Sequence, residues 1–217
     1  MIALKEWAII CKALEDGRQI LLLRKGGIME YRKGFEVKHN EFLLYPTFEH
    51  QSMESIKTEY KEKLKEILEE QNKYTKKEKE KDKDKGYKNF NIDNTNIIKL
   101  FAKVEDVVEI SEKVTLAELR DYHIWGDEYV MMRMNYNPSK PMSILLLRIY
   151  KIKEPLIIDI NDKWSGCKSW IDIEKDVDIQ NSHKVEILKN EKALIDPVLN
   201  DDIFYESVHK IRNVIGK

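Results

Sequence analysis

Net charge, cysteine and long hydrophobic runs are all scarce in this sequence, and each scarcity argues against a class of protein. The 38 Lys and Arg residues are balanced by 39 Asp and Glu residues, so the formal net charge is −1. A protein that coats a polyanion has a large basic excess, which this chain lacks. The balance therefore argues against such a protein, although it is compatible with a local basic patch.

Two further absences concern where the chain resides. No apolar run approaches the roughly 18–20 residues that a membrane-spanning helix needs. The first residues carry Lys5, Glu6 and Lys12 within an apolar stretch and do not have the layout of a signal peptide. Cys11 and Cys167 are the only cysteines, too few for a disulfide framework. We therefore expect a cytoplasmic protein that does not enter a membrane.

The hydrophobic residues make up 42% of the 217, enough for one core, and they follow both strand and helix patterns. Short apolar runs bounded by turn residues predict strands near 19–25, 35–38, 41–45, 98–110, 144–152 and 156–160. Helical spacing predicts a C-terminal helix over 201–215 and favours a helix over 3–15, the alternative being a strand and a tight turn at Asp16 and Gly17. Thr115 and Glu118 fit a capping box. The sequence thus predicts a single α+β domain over 1–217, a mixed sheet with flanking helices.

Residues 53–88 have the composition of a charged helical insertion within this domain. Apolar residues from Met53 to Leu68 recur at helical spacing between Lys and Glu, which predicts an amphipathic helix. From 76 to 85 the sequence reads KKEKEKDKDK, which is either a solvated helical extension or disordered. We expect a projecting charged helix over 53–85, whose apolar stripe at 53–68 could dock a protein partner.

The stretch ILLLR occurs twice, at 20–24 and at 144–148, between flanking residues that do not align. This favours two core strands that both end in arginine over an internal duplication. Because side chains alternate along a strand, Arg24 and Arg148 each lie at the end of an apolar face. An unpaired cation there is costly, so each needs a carboxylate or a bound anion. We expect the two strands in one sheet and both arginines at a shared ligand.

Three stretches have the composition of a binding site. Arg24, Lys25, Gly26 and Gly27 place two cations beside a flexible backbone, which suits an anion, although a hairpin turn with solvated charges is the alternative. Residues 45–51 gather groups that could serve base stacking or acid–base chemistry, or could form a structural corner; the candidates are Tyr45, Thr47, His50 and Gln51.

The third stretch, WSGCKSW at 164–170, pairs two tryptophans around a turn. Cys167 would be a nucleophile only with a neighbouring histidine such as His50; the alternative is a packed turn with a buried thiol. Cys167 could also join His39 and His50 as metal ligands, but no pair of them has zinc-type spacing, so we expect no metal site.

In order along the chain, the segments ALKEWAIICKAL, GRQILLLRKGGI, FLLYPTFEHQ and KWSGCKSW resemble a bacterial and archaeal family catalogued as domain of unknown function 1802. The resemblance covers about 3–51 and 125–210 and leaves the charged stretch near 72–88 outside. It implies no established activity. Because the family is reported alongside a restriction-endonuclease-type domain in some proteins, the resemblance implies a role near DNA restriction.

The first functional hypothesis is an accessory module that binds a phosphate-bearing ligand, with nucleic acid as the first candidate. In this hypothesis phosphate contacts Arg24, Lys25 and Arg148, and the ligand stacks on or hydrogen-bonds with Tyr45, His50 and Trp164. Convergence of 24–27, 45–51 and 164–170 in one pocket would favour it.

Two alternatives stay open. A metal-dependent nuclease would use Asp16 with Glu36 and Lys38 on a strand, and would hold Mg²⁺ there; no cofactor is expected otherwise. A structural interaction module would dock a protein through 53–68. Whether the protein is an enzyme is left undecided by the sequence.

Overall fold

The computed structural model describes residues 1–26, 34–48, 50–69, 95–166, 168–173 and 195–216, and it has the α+β architecture that the sequence predicts. The strands are β1 (Ile2–Trp7), β2 (Leu21–Arg24), β3 (Glu41–Thr47), β4 (Thr95–Ile110), β5 (Met142–Asp159), β6 (Trp170–Asp172) and β7 (Ile195–Pro197). The helices are α1 (Ala8–Glu15), α2 (61–69), α3 (Lys113–Glu118), α4 (Asp127–Tyr136) and α5 (Asp201–Val214). None of these described helices is long and apolar enough to cross a membrane.

The seven described strands form one mixed sheet in the order β2-β5-β4-β3-β1-β6, and β7 pairs with β5. β1 and β3 are parallel, and the other pairs are antiparallel. Arg24, at the end of β2, contacts Glu6 of β1 even though β5, β4 and β3 lie between these strands in the order. The sheet is therefore curled, and its two distant strands face each other across the inside of the curl.

The short apolar runs are continuous because the sheet is buried on both faces. Along β3, Phe42 and Leu44 belong to one hydrophobic core, whereas Leu43 and Tyr45 belong to a second core on the opposite face. Residues 144–147 of the second ILLLR are fully buried in β5, between β4 and β2. A strand covered on both sides needs apolar residues at every position, which explains both copies of the stretch.

The predicted helix over 3–15 is wrong in its first half, where residues 2–7 form β1 and the helix begins at Ala8. β1 lies between β3 and β6, so Ala3 and Leu4 are both buried although they point to opposite faces. Over six residues, such a run is compatible with either a strand or a helix. Gly17, with φ of 66°, follows the helix end as predicted.

The sequence predicted two strands, 144–152 and 156–160, with a break at Glu154 and Pro155. The structure has one continuous strand there, β5. The register passes from Ile98 opposite Leu156 to Leu100 opposite Lys151, so the strand bulges over the residues between. Proline has no N–H to donate and is accommodated where pairing is interrupted. The break that proline signalled is therefore a bulge inside one strand from Met142 to Asp159.

Two smaller predictions are also wrong. Residues 35–38 form no strand, and the capping box at Thr115 and Glu118 is absent because α3 begins earlier, at Lys113 after Glu112. In contrast, α5 occupies the predicted C-terminal helix and ends before Gly216, whose φ is 74°.

The apolar stripe of residues 53–68 packs against the protein's own core. Ile56 and Leu64 are fully buried, and Met53 and Ile67 pack beside them. Residues 53–60 form two short 3-10 helices, so the predicted helix starts later, at 61. Residues 70–94 lie outside the described residues. Since the stripe is covered, the feature on which the protein-partner hypothesis depended is occupied by the chain itself.

Candidate functional site

A pocket of about 320 Å³ opens inside the curl of the sheet. Its walls come from the ends of β1, β2 and β3, from α4 and from the loop before β6. All three stretches singled out in the sequence contribute to the lining, through Arg24, Lys25, Gly26, Thr47, His50 and Lys168. The convergence that favours the binding hypothesis is therefore present in the fold.

Cations predominate in the pocket lining. They are Lys5, Arg24, Lys25, Arg133 and Lys168, and Glu6 is the one carboxylate among the described lining residues. The balance of charge in the pocket differs from that of the whole chain, which carries a formal net charge of −1. The pocket is thus a local basic patch in a nearly neutral protein.

Glu6 and Arg24 form an ion pair in the wall of the pocket. Glu6 is 6% exposed, and its Oε2 accepts a hydrogen bond of 2.9 Å from Arg24 Nη1. Its Oε1 accepts from the backbone N–H of Trp7 at 2.7 Å. Arg24 Nη2 donates to Ser169 Oγ at 2.9 Å, and the guanidinium lies 5.0 Å from the ring centroid of Phe35. The pair therefore neutralises the charge of Arg24 and ties β1, β2 and the loop before β6 together.

Lys25 and Arg133 fasten the turn after β2 to helix α4 without carboxylate partners. Arg133 Nη2 donates to the carbonyl of Gly26 at 2.8 Å, and Lys25 Nζ donates to the carbonyl of Lys140. Burial, and then the charge of Arg133, lower the pKa of Lys25. No described carboxylate lies within ion-pair distance of either cation. The acceptors of these hydrogen bonds are neutral carbonyls, so neither positive charge is compensated by a carboxylate of the described residues.

Lys5 and Lys168 bring two more amines to the mouth of the pocket. Lys5 Nζ donates to the carbonyls of Trp164, at 2.6 Å, and Gly166, at 2.9 Å. Lys168 Nζ donates to the carbonyl of Lys163 at 3.1 Å and forms no ion pair within the described ranges. Gly166 has φ of 79°, a conformation that other residues rarely adopt, and this allows the loop to wrap around the Lys5 amine.

Three rings form an aromatic wall, defined here as Trp7, Trp125 and Tyr129. Trp125 stacks with Tyr129 at 4.6 Å between centroids and meets Trp7 edge-on at 4.8 Å. Trp125 is buried, whereas Trp7 and Tyr129 keep part of their surface open. Burial raises the pKa of the Tyr129 phenol, which stays a neutral hydrogen-bonding group. The wall offers apolar ring surface beside the cations.

The turn after β3 is a structural corner that also contributes to the pocket. Thr47 Oγ1 donates to the carbonyl of Glu6 at 3.2 Å, and Gln51 Oε1 accepts from the N–H of Ile9 at 3.1 Å, in the first turn of α1. His50 has φ of 62°, uncommon for a residue with a side chain, and lines the pocket. Gln51 therefore belongs to the structural corner, whereas His50 lines the pocket, and its role in binding stays a prediction.

Tyr45 and Trp164, expected to stack on a ligand, pack instead in the second core. Each is 5% exposed, and their ring centroids are 5.8 Å apart in an edge-on contact. Tyr45 belongs to β3, whose side chains alternate between the two cores, so it points away from the pocket. Gly27 and Cys167, also predicted as site residues, lie outside the described residues.

Arg24 and Arg148 do not share a ligand, so this part of the prediction is wrong. The two strands do pair in one sheet, but Arg24 lies opposite Ser143, five positions before Arg148 and about 17 Å along the strand. An odd offset also puts the two arginines on opposite faces. Arg148 forms an ion pair with Asp201 and lies 4.5 Å from the ring centroid of Phe204. Arg148 therefore has a carboxylate of its own chain as partner, which is the structural one of the two alternatives stated for these arginines.

The residues of the nuclease hypothesis are not brought together. Asp16 pairs with Lys12 at 2.8 Å at the end of α1, and the strand that should carry Glu36 and Lys38 is absent. The carbonyl of Glu36 accepts from Trp170 Nε1 at 3.0 Å. Within the described ranges, no three His, Cys, Asp or Glu side chains form a group that could hold a metal ion.

Among the lining residues that the sequence did not single out are Lys5, Glu6, Trp7, Trp125, Tyr129 and Arg133. Glu6 and Trp7 end β1, in a segment predicted as helix. Tyr129 and Arg133 are four positions apart, which puts them on one face of α4, but residues 128–136 could not be assigned as helix or strand. A correct assignment of these two elements would have revealed the pattern.

The fold and the pocket define an α+β protein with a cation-lined, aromatic-walled pocket. A family model described as a domain of unknown function, DUF1802, matches residues 3–210. The chain therefore belongs to this family, as the resemblance of its segments indicated. Comparisons with curated proteins and with solved structures found no match.

Proposed function

We propose that this protein is an accessory module that binds a phosphate-bearing ligand with an aromatic base, with nucleic acid as the first candidate. The observation that carries the proposal is the set of three pocket cations, Lys25, Arg133 and Lys168, which have no carboxylate partner among the described residues. Burial, and then the neighbouring charge of Arg133, lower the pKa of Lys25, so both effects disfavour its charged form when no counter-charge is present. A bound phosphate would supply that counter-charge through charge-assisted hydrogen bonds.

The aromatic wall is the observation that favours an aromatic base in the ligand. Trp7 and Tyr129 keep open ring surface beside the cations, and a base stacked on an aromatic side chain contributes about 1–3 kcal/mol. Ring surface and cations in one pocket fit a nucleotide better than they fit a purely apolar ligand or an inorganic anion alone. A link to DNA restriction rests on the family resemblance alone, and the proposal from the pocket does not depend on it.

Titration of the pocket tryptophan fluorescence with a 5′-phosphorylated DNA oligonucleotide tests the proposal. Lys168→Gln and Arg133→Gln each remove one uncompensated charge, and we expect each to weaken binding about tenfold, since a hydrogen bond to a charged group contributes about 1.5–3 kcal/mol. Lys153→Gln is the matched control, because Lys153 is half-exposed outside the pocket and pairs with Asp196.

The control variant should bind as the parent does, and thermal melts should show all three variants folded. Absence of binding to the parent protein, or an equal loss of affinity in Lys153→Gln and the pocket variants, would refute the proposal.

A further inference from the structure

We infer that the pocket takes a single nucleotide unit, either a free nucleotide or the phosphorylated end of a strand, and not a run of nucleic-acid backbone. The inference rests on the proposed function and narrows its ligand. Three features of the described residues carry it: the cluster of uncompensated cations in the pocket, the size of the pocket and the presence of one stacking platform.

Three described cations without a carboxylate partner, Lys25, Arg133 and Lys168, line the same pocket. Several cations elsewhere on the described surface are matched by carboxylates: Lys103 by Glu41, Arg120 by Asp127, Arg148 by Asp201, Lys153 by Asp196 and Arg212 by Asp106. A protein that follows a nucleic-acid backbone needs a basic groove along several phosphates. Here the pocket cations without a carboxylate partner lie together, where one or two phosphate groups could be reached.

The volume also indicates one small ligand. At about 320 Å³, the pocket lies near the lower end of the roughly 300–1,000 Å³ range of sites that enclose a single small molecule. The described walls of this space come from several elements, among them β1, β2 and α4.

The described lining of the pocket contains one stacking platform. Proteins that bind single strands place successive bases on successive aromatic side chains. The aromatic wall is a single cluster, in which Trp7 contacts Trp125 and Trp125 contacts Tyr129. Among the other described aromatics, Tyr45 and Trp164 are buried in the second core, and the Trp170 ring packs against Phe35 and Phe42. One base can therefore stack in the pocket, and the described lining offers no second ring cluster for another.

Isothermal titration with defined probes tests the inference. The probes are adenosine 5′-monophosphate, adenosine, inorganic phosphate, and an oligodeoxyadenylate of about twelve residues with and without a 5′-phosphate. We expect the monophosphate to bind one-to-one and at least about tenfold tighter than adenosine or phosphate. The phosphorylated oligonucleotide should bind within about threefold of the monophosphate, and the unphosphorylated one about tenfold more weakly. For the phosphorylated oligonucleotide, the slope of the logarithm of the binding constant against the logarithm of the salt concentration should be about −1 to −3. This slope corresponds to the counterions released by one to three phosphate contacts.

Variants at two positions, Tyr129 and Arg133, distinguish recognition of the base from recognition of the phosphate. Tyr129→Leu should weaken the monophosphate severalfold and leave inorganic phosphate unchanged, whereas Tyr129→Phe, which keeps the ring, should bind nearly as the parent does. Arg133→Gln should weaken both the monophosphate and phosphate.

The outcomes distinguish the inference from the proposal beneath it. Much tighter binding of the oligonucleotide, with a salt slope steeper than about −5, would overturn the single-unit inference and leave phosphate recognition standing. Phosphate binding as tightly as the monophosphate would also overturn it, because the ring would then contribute nothing. If adenosine bound as well as its monophosphate, or if no probe bound, the proposed function itself would fall.

Discussion

At the scale of single residues, Glu6 controls the electrostatics of the pocket. It is the one carboxylate among the described lining residues, and both of its oxygens are engaged, one by Arg24 and one by the N–H of Trp7. The pair stabilises the wall, because either charge alone would be left half-buried without a counter-charge.

Glu6→Gln is expected to destabilise the fold by about 3 kcal/mol, because the charge of Arg24 loses its partner while the guanidinium stays partly buried. Arg24→Met should have a comparable effect for the converse reason. The double variant Glu6→Gln/Arg24→Met should lose less than the sum of the single losses, as measured by urea denaturation. Additive losses would contradict this coupling. Glu6→Gln should also strengthen phosphate binding, since it removes the negative charge from the pocket.

A second residue, His123, makes stability depend on pH. Its side chain is buried, and burial, followed by the charge of Lys57, lowers its pKa from 6.5 to about 4. The unfolded chain therefore binds a proton between pH 6.5 and 4 that the folded chain does not. Stability is fully present above pH 6.5 and is lost as the pH falls toward the folded pKa.

From pH 7 to pH 5 this single group should cost about 2 kcal/mol of unfolding free energy. His123→Leu should remove that share of the pH dependence, whatever its effect on stability at pH 7. The control is His209→Gln, which replaces an exposed histidine on α5 and should keep the parent's slope. Urea midpoints at both pH values decide the matter, and an unchanged slope in His123→Leu would refute the assignment.

At the scale of elements, the end of α1 is specified by a glycine that also packs closely. Gly17 has φ of 66°, and a Cβ added there would lie 2.7 Å from Leu199 Cδ2. Gly216 ends α5 with φ of 74°, but an added Cβ would meet no described atom within 4 Å. The two positions share backbone strain and differ in contact.

Gly17→Ala should therefore cost about 2 kcal/mol, from strain plus displacement of Leu199, and Gly216→Ala only about 1 kcal/mol, from strain alone. Chemical denaturation of the two variants measures the difference. Equal losses would mean that the Leu199 side chain moves aside without cost.

At the scale of the whole molecule, the curl of the sheet makes the site. The pocket combines residues from β1 and β2, which are far apart in the strand order, with helix α4 and the loop before β6. The charged stretch at 76–85 contains no apolar residue and can add nothing to either core.

Replacement of 76–85 by a short Gly/Ser linker should shift the thermal midpoint by no more than a few degrees, because loop closure depends weakly on loop composition and length. Leu64→Ala, in α2, is the contrast: Leu64 is fully buried, and its truncation should cost about 2–5 kcal/mol. Insoluble protein on linker replacement would contradict the prediction.

Local spacing determined much of the element content. The α+β class, the strands at ILLLR and EFLLY, and the C-terminal helix could be predicted, because a short buried run or an amphipathic stripe is legible within its own residues. The same information placed Arg24, Lys25, Gly26, Thr47 and His50 in a candidate site, and each of them lines the pocket.

What the sequence could not determine depends on pairing between distant residues. The faces of the sheet to which Arg148 and Tyr45 point follow from strand register. A change of register by one residue would turn each side chain to the opposite face, and no local sequence pattern encodes the register. The role of Glu6 depends on the curl that brings β2 back over β1. Most of the local elements could therefore be predicted from the sequence alone. Which side chains meet in the pocket was decided by the tertiary structure, because long-range strand register and the curvature of the sheet bring distant residues together.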